Sequence, residues 1–330
     1  MEVLAMTKKV NKDNTAIMGN ANKLTKKSID FMRQRYVAIF ISALLLIASS
    51  VSLVINGLQL GLDFTGGLQV EAEFAEPAEL EKIRSALVTA GFDNAVVAYF
   101  GSEQNIKVTL QRDLEIGIEE KITEVLASTT SSNVTLKQLE YVGPQIGSEL
   151  RDQGGIGMLF ALTIVMLYVA VRFQYKFSLG AVTALIHDVI IVLGVFSLFK
   201  LNFDLTVLAA VLAVIGYSLN DTIVVSDRIR ENFRKIRKGT SVDIINISLT
   251  QTLGRTIITS ATTLLVLLAL FFTGGELIRG FSTALIIGIL VGTYSSIYVA
   301  ANMLLLLHID KEDLMLPEKE GAEPLDSPTN

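Results

Sequence analysis

The chain of 330 residues lacks several residue types on which common functions depend. It has no cysteine, which excludes disulfides and thiolate metal sites. Tryptophan is absent, and the two histidines, His187 and His308, are too few for a multi-histidine metal site. Only 18% of the residues are charged, against roughly 25% in a soluble globular domain, whereas 51% are hydrophobic. These shortages indicate a membrane protein without a metal site.

Six stretches are long and apolar enough to span a membrane as helices. About twenty helical residues cross a hydrocarbon core of ~30 Å. The predicted spans cover residues 36–55, 156–173, 177–199, 205–225, 253–272 and 281–307. The apolar run of the first is longer than that of a typical signal peptide, so we interpret it as a retained span. An even number of spans leaves both termini on one side of the membrane.

Lysine and arginine are concentrated in two segments on that side. These segments are the N-terminal tail, residues 1–35, and the connection between spans four and five, residues 228–252. Because basic flanks are retained in the cytoplasm, we predict that both segments and both termini are cytoplasmic. Within the connection, Thr240 or Ser241 is expected to cap a helix that lies along the membrane surface. The acidic C-terminal tail, residues 308–330, is predicted to be disordered.

A polar insert, residues 57–155, separates the first two spans and falls outside the cytoplasm. Its apolar periodicity predicts strands and helices in the order βαββαβ, which is the ferredoxin-like arrangement. The strands are predicted at residues 68–74, 95–100, 106–111 and 134–141, and the helices at 77–91 and 116–128. The expected fold class is therefore an α-helical polytopic membrane protein of six transmembrane helices, with a small α+β domain. The other spans form the membrane domain, residues 156–307.

An aspartate, Asp221, lies within the fourth span, where a carboxylate costs roughly 2.5–3.5 kcal/mol on insertion scales. Arg255 in the fifth span is expected at the same depth, because the two spans are antiparallel. A movable arginine beside a carboxylate would switch it between binding and releasing a proton. Asn220, next to the aspartate, is expected to stabilise either form. The alternative is a static buried ion pair that fixes helix register.

Hydroxyl side chains accompany Arg255 along the fifth span, spaced three and four residues apart on one predicted face. We expect them to order water and relay protons beside Asp221. His187 and Asp188 lie in the middle of the third span. Asp188 is either a second titrating site or is held by His187 and backbone groups, and the sequence favours neither. The hydroxyl stripe comprises Thr252, Thr256, Thr259, Ser260 and Thr263.

Three sequence blocks carry a family resemblance. They read LGLDFTGG at residues 60–67, VGPQIGSEL at 142–150 and GYSLNDTIVVSDRIRENF at 216–233. The segment LTQTLGRTIITS, residues 249–260, extends the third block, which is the most specific. Together they resemble the SecF family of bacterial protein-export membrane proteins, and the likeness covers the chain from span one to span six.

The resemblance implies half of a fold like that of the resistance-nodulation-division (RND) transporters, in the bacterial inner membrane, with a periplasmic insert. It implies that the proton or sodium motive force promotes late steps of preprotein export, after SecA has begun translocation. The implied partners are SecD, the SecYEG channel with SecA, the translocating preprotein, and also YajC and YidC. No nucleic acid, cofactor or catalytic chemistry of the chain's own is implied.

The resemblance also assigns residues. The family's ion-pathway aspartate maps onto Asp221, its essential arginine onto Arg255, and the following hydroxyl onto Thr259. With Asn220 these form the predicted ion pathway, and Asp188 and Ser260 are secondary candidates. The motif residues that receive no role are Asp63, Gly66, Gly67, Gly143 and Pro144.

Three other functions are weighed against this prediction. An intramembrane aspartyl protease would also place two aspartates, Asp188 and Asp221, on separate spans, but here they follow His187 and Asn220 rather than the Tyr-Asp and Gly-x-Gly-Asp patterns of such enzymes. An RND-like small-molecule exporter would need a second repeat and large external domains. A passive scaffold predicts that Asp221→Asn leaves export unchanged.

Overall fold

The structure is a computed structural model that describes residues 28–310, except 94, 111–116, 131–132 and 237–238, and also Asp313. Most of the two predicted tails lies outside the described residues. The elements of the first half are α1 (Arg35–Asn56), β1 (Gln59–Leu60), α2 (Leu62–Thr65), β2 (Gly67–Phe74), α3 (Leu80–Thr89), β3 (Val96–Phe100), β4 (Ser102–Leu110), α4 (Ile118–Ser128) and β5 (Val134–Val142). Those of the second half are α5 (Pro144–Arg172), α6 (Tyr175–Leu198), β6 (Asn202–Phe203), α7 (Leu205–Lys235), α8 (Ser241–Thr273), α9 (Gly275–Ile297) and α10 (Val299–Leu306).

Six helical segments of the described chain are long and apolar enough to cross a membrane, which confirms the predicted six-helix fold. They are α1 with the 3₁₀ turn before it, α5, α6, α7, α8, and α9 joined to α10. Helix α5 begins at Pro144, well ahead of the predicted span start at residue 156. Proline is favoured in the first helical turn because its missing N–H has no partner there in any case. The last strand of the polar insert ends at Val142, and its residues 144–155 form the first turns of α5.

The small domain is built on a four-stranded antiparallel sheet in the order β3-β4-β2-β5. Helices α3 and α4 pack their apolar residues on one face of this sheet, which completes the predicted ferredoxin-like βαββαβ arrangement. The core is formed by fully buried residues from both layers, namely Leu68, Val70, Ile83, Leu87, Ile106, Ile122 and Leu126. A second, two-stranded parallel sheet joins β1 to β6 beside this domain.

The predicted connection 228–252 is mostly helix rather than loop. Helix α7 continues to Lys235, and α8 begins at Ser241, where Thr240 and Asp243 form a capping box. The helix expected along the membrane surface is therefore the first part of α8 and is continuous with the fifth span. Its apolar residues are buried within the protein instead of facing lipid, because they pack against α6, α7 and α10; they are Ile244, Ile245, Ile247 and Leu249.

Candidate functional site

Asp221 lies in the middle of α7 and is half-buried among three packed helices. Its Oδ1 accepts a hydrogen bond from Thr256 Oγ1 of α8 at 2.6 Å. Its Oδ2 accepts one from Ser296 Oγ of α9, also at 2.6 Å. Such short O–H···O distances are typical of hydroxyls that donate to a carboxylate. The carboxylate is thus held between two neighbouring helices by groups that can release it without leaving a buried charge of their own.

Arg255 does not pair with Asp221, contrary to the expected geometry. No ion pair joins the two within the described part of the chain, and the Arg255 side chain is exposed. The reason is helix geometry: consecutive residues point about 100° apart, so a helix that turns Thr256 toward Asp221 turns Arg255 away. Thr259 lies one turn beyond Arg255 on the same exposed face, and its hydroxyl donates to the backbone oxygens of Arg255 and Thr256.

The hydroxyl stripe of α8 divides into two faces. Thr252, Thr256 and Ser260 are buried toward the bundle at intervals of four residues, whereas Thr259 is exposed with Arg255. Ser260 Oγ lies 2.7 Å from Thr293 Oγ1 of α9, and Tyr217 of α7 donates to it at 3.4 Å. The predicted secondary residue Ser260 therefore joins the same three helices as Asp221, one turn further along α8.

Asn220 is exposed and makes no hydrogen bond to Asp221 within the described residues. The expectation that it contacts the neighbouring carboxylate is therefore wrong for this structure. Adjacent positions on a helix diverge, so the inward orientation of Asp221 carries Asn220 to the outer face of α7.

Asp188, in the middle of α6, is the most enclosed carboxylate of the bundle at 1% exposure. Its Oδ1 lies 2.9 Å from His187 Nδ1. Its Oδ2 accepts hydrogen bonds from Ser218 Oγ of α7 and from Ser295 Oγ of α9, the latter at 2.7 Å. His187 contacts Asp188, as one of the two alternative predictions stated. The other contacts come from two serine hydroxyls and not from the backbone groups expected.

Ser295 and Ser296 belong to the candidate site and were not predicted from the sequence. They are adjacent on α9, and one reaches Asp188 while the other reaches Asp221. Their signal was a run of small and hydroxyl residues in the last span, from Gly292 to Ser296. Gly292 permits the close packing, because a Cβ there would lie 3.2 Å from Ser218 Cβ and 3.5 Å from Asp188 Oδ2. The pair of serines links the two carboxylates through one helix.

The motif residues without a predicted role meet between the small domain and the helices. Asp63 Oδ2 accepts a hydrogen bond from the backbone N–H of Leu205, the first residue of α7, at 3.0 Å. Gly66 has a φ of +67° and lies against Pro144, and Gly67 has a φ of +122°. Gly143 is the residue that caps α5. Within the described chain, no group of three or more His, Asp or Glu side chains could hold a metal ion.

The fold and the site define a class: a polytopic membrane protein with six apolar helices, one small α+β domain and hydrogen-bonded carboxylates between its helices. Residues 121–310 match the family model described as protein export membrane protein SecD/SecF, C-terminal. Residues 51–78 match the SecD/SecF GG motif, which here contains Gly66 and Gly67.

Curated relatives match nearly the whole chain. Protein translocase subunit SecF of Vibrio alginolyticus is 51% identical over 303 residues, covering 90% of this chain and 96% of its own length. The SecF subunit of Escherichia coli O157:H7 is 47% identical, covering 90% and 94%. The chain therefore belongs to the SecF family of protein-export membrane proteins.

Solved structures agree with this assignment. The crystal structure of SecDF, a translocon-associated membrane protein from Thermus thermophilus, superposes with a TM-score of 0.79 at 37% identity over 86% of this chain. A SecDF structure in a super-membrane-facing form gives a TM-score of 0.62 at 37% identity over 85%. In both cases the chain spans 39% of the length of the SecDF protein.

Proposed function

We propose that this subunit couples an ion gradient to protein export, with Asp221 as the group that binds and releases the ion. The observation that carries the proposal is the carboxylate of Asp221, which lies within a membrane-spanning helix and, among the described residues, accepts side-chain hydrogen bonds from the hydroxyls of Thr256 and Ser296 alone. Either H⁺ or Na⁺ can replace a hydroxyl donor at a carboxylate oxygen, and no further cofactor is required. An ionisable residue at such a depth is by default a functional site.

SecD is the proposed partner on the exposed face of α8. Only 17% of the residues in the most apolar stretch of α8 are buried within the chain, against 61% in that of α6. The exposed face carries Arg255, Thr259 and Thr262, which are costly against lipid. A second set of membrane helices would cover these polar groups. The SecDF structures support a SecD partner because their chain is more than twice as long as the part that this subunit matches.

Arg255 is proposed to gate Asp221 in a second conformational state. In the present structure its guanidinium lies on the outer face of α8, about 100° around the helix from Thr256. A rotation of α8 about its axis, together with a change of the arginine side-chain conformation, would exchange the Thr256 hydroxyl for the guanidinium at the carboxylate. An adjacent positive charge favours release of a bound cation, so the exchange would alternate ion loading and release.

We also propose an orientation of the chain in the membrane and its further partners. The base-rich end of α7 carries Arg228, Arg230, Arg234 and Lys235, which favours a cytoplasmic location for this end and for both termini. The small domain is then periplasmic, where it would meet the translocating preprotein. SecYEG with SecA, YajC and YidC are the further partners that this role in the bacterial inner membrane implies.

The chain is proposed to have no catalytic chemistry of its own. An aspartyl protease needs two carboxylates that share a proton. Here Asp188 is held by His187, Ser218 and Ser295, and Asp221 by a different pair of hydroxyls. Among the described residues the two carboxylates share no hydrogen-bond donor.

The test is gradient-driven release of an exported protein from vesicles that contain this chain and SecD, with Asp221 intact or changed to Asn, and with or without Na⁺. We expect Asp221→Asn to abolish the gradient-dependent part of the release while the purified complex stays intact. The dependence on Na⁺ or on pH names the ion. Undiminished release by the Asn variant would mean that Asp221 is structural and that the chain is a passive scaffold.

A further inference from the structure

The small domain contacts the start of α7 at a place that we call the junction and define as residues 61–67 with residues 202–205. The strands that lead into and out of the domain are neighbours there, because Gly67 of β2 pairs with Val142 of β5. Beside them β1 pairs with β6, and the N–H of Gly61 donates to the Phe203 oxygen at 2.8 Å. The junction therefore joins the entrance of the domain to the start of α7.

Two carboxylates satisfy the first N–H groups of α7. Asp204 Oδ1 accepts from Val207 N at 2.9 Å, as an ordinary N-cap does. Asp63 Oδ2 accepts from Leu205 N at 3.0 Å, although it lies 142 residues earlier in the chain. A carboxylate is favoured at this end because the helix dipole is positive there. Of these two carboxylates, that of Asp63 connects the start of α7 to the entrance of the domain. Asp204 directly precedes α7 in the chain, so its bond stays within the helix that it caps.

The junction is packed too closely against the start of α5 for these elements to slide past one another. A Cβ at Gly66 would lie 2.6 Å from Pro144 Cα, and a Cβ at Gly147 would lie 2.6 Å from Gly66 N, so α2 and α5 meet backbone to backbone. Phe64 is buried, and its ring stacks on that of Phe203 with centroids 6.0 Å apart. Close-packed groups of this kind transmit displacement instead of absorbing it.

We propose that Asp63 is a positioning residue that clamps the small domain to α7, the helix that carries Asp221. A shift of α7 on ion binding is then passed to the domain, and a load on the domain is passed back to the ion site. Asp221 lies about 24 Å along α7 from Leu205, at 1.5 Å per residue. The inference rests on the proposed ion coupling at Asp221 and adds the route by which that coupling reaches the domain.

The first test measures ion uptake and release of exported protein in the same vesicles, with the full chain and SecD. We expect Asp63→Ala to lower the protein released per ion taken up by at least fivefold, because the clamp is lost while the ion site is intact. Asp63→Asn should retain at least half of the wild-type ratio, because its amide oxygen still accepts from Leu205 N. Asp204→Ala is the matched control, because it removes one carboxylate from the same helix end and leaves the bond between Asp63 and Leu205 in place. The protein released per ion taken up should be unchanged in this variant.

An unchanged ratio in Asp63→Ala, or an equal fall in Asp204→Ala, would overturn the proposal. A poorly folded variant lowers release and uptake together and leaves the ratio unaffected. Asp221→Asn in parallel vesicles separates this outcome from the proposed function. If that variant still takes up ions and exports, the ion site is wrong whatever Asp63 does.

A second test uses the absence of cysteine from the chain. A Cβ at Gly61 would lie 3.0 Å from Asp204 Cβ, close to the ~3.5–4.5 Å of a disulfide, so Gly61→Cys with Asp204→Cys should cross-link on oxidation. If the junction moves as a rigid clamp, the oxidised protein keeps the export-to-uptake ratio of its reduced form. A ratio that is lost on oxidation and regained on reduction would contradict the clamp.

Discussion

Two carboxylates of the helix bundle, Asp188 and Asp221, receive donors from adjacent serines of α9 yet lie in different surroundings. Asp188 is 1% exposed and has His187 and two hydroxyls around it. Asp221 is half-buried, has two hydroxyls, and follows the exposed Asn220 on α7. Burial and the number of donors thus distinguish Asp188 from Asp221, the carboxylate that we propose exchanges an ion.

The largest effect on stability is expected from Asp188→Ala. His187 and Ser218 would lose their acceptor, whereas Ser295 would keep its bond to the Gly292 oxygen; each buried donor left unpaired costs roughly 1–3 kcal/mol, so we expect a loss of at least about 2 kcal/mol. Thermal unfolding of the purified full chain in detergent measures it. Asp221→Ala is the matched control and should lose less than half as much. Equal losses would remove the distinction between the two sites.

Arg255→Gln is expected to lower gradient-driven export more than tenfold with little effect on folding. Its side chain is exposed and unpaired with Asp221 in this structure, so the free energy of unfolding should change by no more than about 0.5 kcal/mol. The combination with Asp221→Asn should export no worse than Asp221→Asn alone. A loss of stability as large as that of Asp188→Ala would show that Arg255 has a structural role.

The adjacent serines provide the sharpest comparison, because they differ in partner and hardly in position. Ser295→Ala should cost about 1 kcal/mol of stability and leave the ion dependence of export unchanged. Ser296→Ala frees an oxygen of Asp221 from a competing donor, so export should saturate at an ion concentration about fivefold lower, which corresponds to ~1 kcal/mol. Titration of export against pH or Na⁺ measures the shift. Identical titrations for the two variants would contradict separate roles.

The smallest effect concerns a carboxylate outside the membrane helices, Glu71 on β2. Burial raises the pKa of Glu71 above its usual 4.5, and Glu140 adds to the rise, while Lys107 and Lys137 oppose it. Because the folded-state pKa is raised, the contribution of Glu71 to stability is most favourable below pH 4.5 and becomes unfavourable as pH increases through the folded-state pKa. Glu71→Gln should therefore stabilise the chain at neutral pH by under about 1 kcal/mol, and the gain should vanish in acid. An equal gain at both pH values would rule out titration as the cause.

The sequence predicted most of the fold, because the signals involved are local. Apolar length alone identifies six spans, and the period of apolar residues identifies the βαββαβ domain. The start of α5 and the continuity of α8 were not predicted, because polar residues such as those after Pro144 extend a helix beyond the apolar stretch that marks the membrane. Ile244 and its neighbours were assigned to the membrane surface, since an apolar helix face does not reveal whether it meets lipid or protein.

The site was predicted in part. The cost of a buried charge identified Asp221, and Ser260 was found on the inner face as expected. Helix periodicity placed Arg255 and Thr256 on the same broad polar face of α8 and did not resolve which of them points inward. Arg255 was therefore predicted to contact Asp221, whereas the structure shows Thr256 as the donor. Ser295 and Ser296 gave a weak signal, since serine in a span is common. The contact of Asp63 with Leu205 depends on tertiary structure and has no local signature.

The continuity of α8 makes it a lever arm. At 1.5 Å per residue its 33 residues extend about 50 Å, well beyond a ~30 Å hydrocarbon core. If α8 tilted by about 5° around one of its ends, its other end would move by about 4 Å. Asn246 near its start binds Asp30 and the N–H of Met32, just ahead of α1. A movement of α8 that displaces Arg255 would therefore also displace the segment around Asp30 and Met32, where a fluorescent label could report the movement.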